Sequence, residues 1–161
     1  MQFHKRIRLD ENLYRISGQP CSVTFGTQGH KPVFTNKEFA NSSIKFLINY
    51  STKHSIPLYI CCIMPDHIHV LLEATKDKNI IEIIREIKSL LTKTSWEHGF
   101  HGSIFQKSFY DHFLRADEDI LVVVLYILNN PVRAGIVDAW KNYPYIGSTV
   151  YSLDDLGESG G

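Results

Sequence analysis

Two apolar segments with almost nothing between them constrain this chain more than any other feature. Leu58 to Met64 is an unbroken apolar run bounded by Pro57 and Pro65, which reads as a buried strand. His67 to Ala74 reads as a second strand. Only Pro65-Asp66 separates them, a link long enough for a tight turn and nothing more, so the two must pair antiparallel. Such a hairpin needs apolar partners, and the chain supplies helices. Asn36 can cap one running to about Lys53, with Phe39, Ile44, Phe46, Leu47 and Tyr50 available for burial. From Asn79 to about Glu97, Ile80, Ile83, Ile84, Ile87, Leu90 and Leu91 recur at helical spacing, and Gly99 ends the pattern.

Further elements follow the same logic. Cys21 to Thr27 is rich in β-branched and aromatic residues and reads as a strand. Ile104 to Arg115 looks extended and carries Phe105, Phe109, Tyr110 and Phe113. Asp117 can cap a helix through about Asn129, with Glu118 and Asp119 in its first turn. Pro131 disfavours helical geometry at Asn130, so the helix should stop there; a short second turn can end at Gly135. The order predicts an α+β fold, an antiparallel sheet with helices packed on its faces. At 161 residues with no internal repeat, residues 1–152 read as one domain, and the Gly/Ser-rich residues 153–161 as a fraying tail.

Composition bounds the function classes. Apolar residues at 43% and charged residues at 21% support a packed core and argue against disorder. No stretch approaches the roughly 20 apolar residues of a membrane span. The first residues carry no signal-type apolar run. A soluble, cytoplasmic protein with no membrane partner is expected. Cys61 and Cys62 are adjacent, Cys21 is alone and there is no CxxC, so all three read as reduced and structural. Lys plus Arg and Asp plus Glu both total 17, which does not mark a nucleic-acid binder. Setting aside the acidic C-terminal residues leaves a small basic excess, and Lys5, Arg6 and Arg8 cluster. Charge alone does not suggest DNA.

Chemistry-bearing residues fall in two places. In the second strand of the hairpin, side chains alternate faces, so His67 and His69 point the same way while Ile68 and Val70 point the other. Two imidazoles one residue apart can reach one ion. They can equally be histidines on a polar strand face. No cysteine is placed to complete a thiolate zinc site, and two imidazoles plus an oxygen ligand suit Mg or Mn in an open site. The second place is Leu125 to Gly135. On a helix Tyr126 and Asn130 lie i,i+4 and share a face, so a phenol and an amide oxygen can converge. Tyr126 packing in the core, with Asn130 as a helix-end residue, accounts for the same spacing.

His-x-His preceded by Met-Pro-Asp, then some sixty residues later Tyr-Ile-x-x-Asn-Pro-Val-x-Ala-Gly, resembles the single-tyrosine HUH transposases, and most nearly their REP-associated type. Phe105-Gln106-x-Ser108-Phe109-Tyr110-Asp111-His112 and Tyr143-Pro144-Tyr145-x-x-Ser148 extend the similarity from about Cys21 to Ser152. The resemblance implies a ferredoxin-like or RRM-like fold. It implies a transposase that cleaves and rejoins single-stranded or hairpin DNA through a 5′-phosphotyrosine. On this pattern Tyr126 is the nucleophile, and His67, His69 and Asn130 hold a Mg or Mn divalent cation. It also implies nucleoid association, and either a homodimer or a monomer.

Tyr110 is a rival nucleophile, with His112 on its face. Asp111 and His112 are candidates for orienting a metal ligand. Arg6, Arg8, Lys88, Lys93, Arg115 and Arg133 are candidate phosphate contacts. Two other readings stay open: a module of this fold that binds hairpin nucleic acid without cutting it, and a metal-dependent phosphodiesterase in which water attacks.

Overall fold

The computed structural model describes residues 18–158. The two apolar runs form the expected hairpin: β2 (Leu58–Met64) and β3 (His67–Glu73) pair antiparallel, with Met64 opposite His67 and Cys62 opposite His69. β1 (Pro20–Gly26) takes the other side of β3, also antiparallel. β4 (Tyr110–Phe113) pairs with β1 and the two-residue β5 (Ile146–Gly147) with β2. The strand order is β4-β1-β3-β2-β5, antiparallel throughout. The first four strands, with a helix after β1 and another after β3, have the ferredoxin-like arrangement; β5 adds an edge.

Those two helices form where local sequence starts them. α1 (Lys37–Lys53) begins with the Asn36 side chain accepting the Phe39 backbone N–H at 3.0 Å. α2 (Ile80–Trp96) begins with Asn79 accepting from Glu82 at 2.8 Å. Each cap satisfies a backbone donor that the first turn would leave orphaned. Both helices cover one face of the sheet, where Phe39, Leu47, Ile83 and Ile87 join Val23, Phe25, Ile68, Val70 and Leu72 in one buried cluster. The other face is covered from the C-terminal part of the chain. Val124, Ile127 and Leu128 of α3 (Ile120–Leu128) pack there with Ile60, Cys62 and Leu71. β3 is therefore buried on both faces, which is why its sequence reads as nearly continuous apolar residues. The three cysteines are free and buried; burial pushes the Cys62 thiol up to about 12.

Four details depart from the sequence expectation. Residues 104–115 are not one strand: Phe105 makes an isolated bridge to Thr27, and only Tyr110–Phe113 joins the sheet. Between them the backbone crosses the end of β1 and is held by the Lys88 ammonium, which donates to the carbonyls of Gln106 and Ser108 at 2.8 and 2.9 Å. The cap of α3 is Asp119, accepting from Leu121 at 2.8 Å, rather than Asp117. Glu118 is drawn back to accept the Arg115 N–H, so the chain does not turn helical until the next carboxylate. The helix then breaks one residue early, at Asn129, and resumes as the short α4 (Asn130–Arg133) with Pro131 in its first turn. Last, Leu153–Glu158 is not a fraying tail but a helix, α5, whose Leu156 is 4% exposed within the second cluster. Leu156, with Leu153 packed beside it, anchors a segment whose composition looked polar. Among the described residues, no helix is long and apolar enough to cross a membrane.

Asn79→Ala should cost about 1 kcal/mol of stability by denaturant unfolding, and Asn79→Asp should cost little, since a carboxylate also caps.

Candidate functional site

Strand alternation puts His67 and His69 on the α3 face of the sheet, beside Thr24 of β1, which sits opposite His69. The two imidazole rings are 4.7 Å apart at 89°. Each is oriented through Nδ1: His67 Nδ1 lies 2.6 Å from Asp66 Oδ1, and His69 Nδ1 lies 2.8 Å from Thr24 Oγ1. Nε2 is then the nitrogen each ring presents to a ligand. His69 is 2% exposed. Burial first, then the neighbouring His67 and the Arg133 guanidinium, hold its pKa down at about 3. It is therefore neutral at physiological pH, the form that can bind a metal.

Tyr126 and Asn130 do not share the face of one continuous helix, because the break at Asn129 (φ −85°, ψ 2°) intervenes. Tyr126 is 46% exposed and Asn130 only 7%. Arg133 joins them instead. Its guanidinium donates to the Tyr126 carbonyl at 2.6 Å and to Asn130 Oδ1, and its central carbon stacks 3.7 Å from the Tyr126 ring centroid. The same charge acts on His69 and on Cys62 across the sheet. Arg133 thus holds Tyr126 and Asn130 of the α3–α4 turn together, and its charge is felt at His69 of β3.

The fit to a divalent cation follows from these contacts. Two neutral imidazoles on one face are a donor set for a first-row divalent cation, and an added oxygen ligand shifts such a set toward harder ions. Among the described residues no three His, Cys, Asp or Glu side chains gather to hold a metal, so a third protein donor has to be of another type. Asn130 is such a donor. Its oxygen faces Arg133, while its buried Nδ2 has no hydrogen-bond partner. An orphaned buried amide is costly.

His67 opens on a cleft of about 320 Å³ lined by Gly26, His30, Asp66, Gln106 and Tyr110. Sequence reasoning missed His30, which arrives from a remote loop and carries no local signal, and met Gln106 only within a longer motif. Asp66 was visible only as part of a motif. Tyr110 faces Thr24 across the ladder, on the same side of the sheet as the histidines.

Two expected orienting residues are placed elsewhere. His112 Nε2 lies 2.9 Å from both carboxylate oxygens of Glu118, closing the turn into α3. The Arg115 backbone N–H and His112 together hold the Glu118 carboxyl at about 2. Asp111 is in register with Val23, so it belongs to the opposite face of the sheet. Of the basic candidates, Lys88 braces residues 106–108, Arg115 pairs with Glu118 (3.4 Å), and Lys93 is exposed on α2. Arg133 alone stands at the site; Arg6 and Arg8 lie outside the described residues.

With the fold and this histidine–tyrosine arrangement in view, the chain belongs to the IS200-like transposase family, whose model matches residues 20–130. It is 32% identical over 95 residues to a protein of Haemophilus influenzae named "Putative REP-associated tyrosine transposase". That match covers 52% of this chain and 54% of the relative, so the chain spans about half the length of the curated relative it matches. Two solved structures share the fold. One is a REP-associated tyrosine transposase bound to a REP hairpin, with TM-score 0.66, 22% identity, and coverage of 91% of this chain and 82% of that one. The other is a putative transposase from Deinococcus radiodurans, with TM-score 0.52, 18% identity, and coverage of 80% and 97%.

The depressed His69 pKa has a stability consequence. An unfolded imidazole protonates near ~6.5, whereas native His69 resists protonation down to about 3. Between those values the unfolded state binds more protons, so acidification through that window destabilises the fold. Urea unfolding should show a lower midpoint at pH 5 than at pH 7, and His69→Gln should reduce the difference.

Proposed function

We propose that this protein cleaves and rejoins single-stranded DNA by transesterification, with Tyr126 as nucleophile. The observation that carries the reading is the Arg133 bridge, which ties the tyrosine-bearing helix to Asn130 and sets its charge against the buried His69. Hairpin DNA is the preferred substrate class, as suggested by the structural relative whose bound molecule is a REP hairpin.

The exposed Tyr126 hydroxyl is open to a strand lying across the end of α3. Its oxygen attacks the scissile phosphorus, forming the Oη–P bond. The Oη–H bond and the P–O3′ bond break, and the 3′ oxygen leaves and takes up a proton that balances the one Tyr126 gives up to solvent. The 5′-phosphate stays on Tyr126 as a phosphodiester. Because that bond keeps the energy of the one broken, attack by another 3′-hydroxyl rejoins the strand without ATP. Arg133 offers a planar donor fork suited to a phosphate, which would draw it from Asn130. A Mg or Mn ion held by His67, His69 and Asn130 would polarise the phosphate and offset charge on its oxygens. His67 and His69 are pre-oriented for that role by Asp66 and Thr24.

One observation favours a second nucleophile: Tyr110, unlike Tyr126, lines the His67 cleft. Substitution separates the two. With a hairpin oligonucleotide carrying a single-stranded flank, and Mn²⁺ present, Tyr126→Phe should abolish the covalent protein–DNA adduct and lower strand cleavage by more than about a thousandfold. Tyr110→Phe should keep both. The reverse result would transfer the role to Tyr110. Cleavage surviving both changes would mean that water attacks.

A further inference from the structure

A second groove lies on the helical side of the sheet, between α2 and the crossing segment 103–109, with a volume of about 370 Å³. Arg85, Lys93 and Trp96 line it as one stripe of α2; Lys107 and Phe109 line it from the crossing segment. Among the described residues, no acidic side chain lines it. That is a local concentration of positive charge in a chain whose net charge is zero. Arg85, Lys93 and Lys107 are exposed and, among the described residues, make no ion pair. Trp96 is 52% exposed, yet its ring is fixed by an Nε1–H bond to the Gly102 carbonyl at 2.9 Å. A large aromatic held rigid and in solvent is unusual for a side chain whose role is packing. The groove is also built rather than incidental, since Lys88 clamps the crossing segment onto α2 and stands 5.6 Å from the Phe109 ring.

Gln106 connects this groove to the candidate site: it lines both the groove and the His67 cleft. We propose that the groove carries the single-stranded flank of the DNA whose phosphodiester enters the His67 cleft. This rests on the reading of that cleft as a DNA site. Phosphates would meet Arg85, Lys93 and Lys107, while unpaired bases stack on Trp96 and Phe109. From Arg85 to Trp96 the helix rises about 16 Å, room for a few nucleotides of one strand. A duplex has no exposed base faces for the aromatics. An acidic polypeptide would use the cations but not the stacking surface.

The test is equilibrium binding in EDTA, where no cleavage chemistry is required. Two oligonucleotides are compared: a hairpin with a single-stranded flank and the same hairpin without it. Charge reversal at three exposed positions, Arg85→Glu with Lys93→Glu and Lys107→Glu, should weaken binding of the flanked hairpin at least tenfold. It should change the unflanked hairpin less than twofold. The log–log salt slope for the flanked hairpin should fall by about 2, since each phosphate contact on a single strand contributes roughly 0.7. A milder triple change to Gln gives the same ordering if charge reversal disturbs the fold. Trp140→Phe leaves Trp96 as the sole tryptophan, and its fluorescence should be quenched by the flanked hairpin. Unchanged affinity of both triple variants, or no quenching at saturation, would overturn the proposal. So would equal quenching by a polyglutamate of matched charge. Failure of the tyrosine chemistry alone would leave these binding results intact. A protein that forms the Tyr126 adduct but binds the flank independently of the groove would sink only this inference.

Discussion

The two-residue period of β3 is the constraint on which the rest of the structure depends. This strand lies between β1 and β2, and each of its faces has its own cover. Ile68, Val70 and Leu72 fill the core beneath α1 and α2; Leu71 joins the cluster under α3. His67 and His69 continue the Leu71 side. A slip of one residue would drive both imidazoles into the main core and expel three aliphatic side chains from it. The register that packs the protein is therefore the register that displays the histidines. The turn before the strand reinforces it: the Asp66 carbonyl accepts from Thr27 and the Pro65 carbonyl from Phe34, at 3.0 and 3.1 Å.

Electrostatics at the site favour an incoming anion. Among the described residues, no carboxylate pairs with Arg133, whose charge is shared only with an amide oxygen, a carbonyl and an aromatic face. The same charge, with burial and His67, keeps His69 neutral. A phosphodiester brings the missing negative charge, and its arrival gives Arg133 a stronger partner than Asn130. Asn130 would then be released to satisfy its buried amide differently.

Local physics was legible in the sequence, and contacts between distant segments were not. Asn36 announced α1 because a cap acts on residues three positions away, and the helical spacing of Ile80, Ile83, Ile84, Ile87 and Leu91 announced α2. The hairpin and its shared histidine face followed from a two-residue link and strand alternation. The start of α3 did not, because the choice among three consecutive acids depends on Arg115 and His112, which the sheet positions. The i,i+4 relation of Tyr126 and Asn130 presumed a continuous helix, whereas the chain breaks at Asn129 and relies on Arg133 to reunite them. Gln106 reaches the cleft because segment 103–109 crosses the end of β1, and His30 reaches it from the turn that follows β1. The same crossing turns scattered cations of α2 into a groove.

The central claim is that β3 and the α3–α4 turn, some sixty residues apart, make one site. Paramagnetic broadening by Mn²⁺ tests it most directly, read by NMR on side chains from both halves. A single bound ion should broaden the His67 and His69 ring signals together with the Asn130 side-chain amide and the Tyr126 ring, and His67→Ala should remove the broadening of the three that remain. Broadening confined to the histidines, with Asn130 and Tyr126 untouched, would contradict the account.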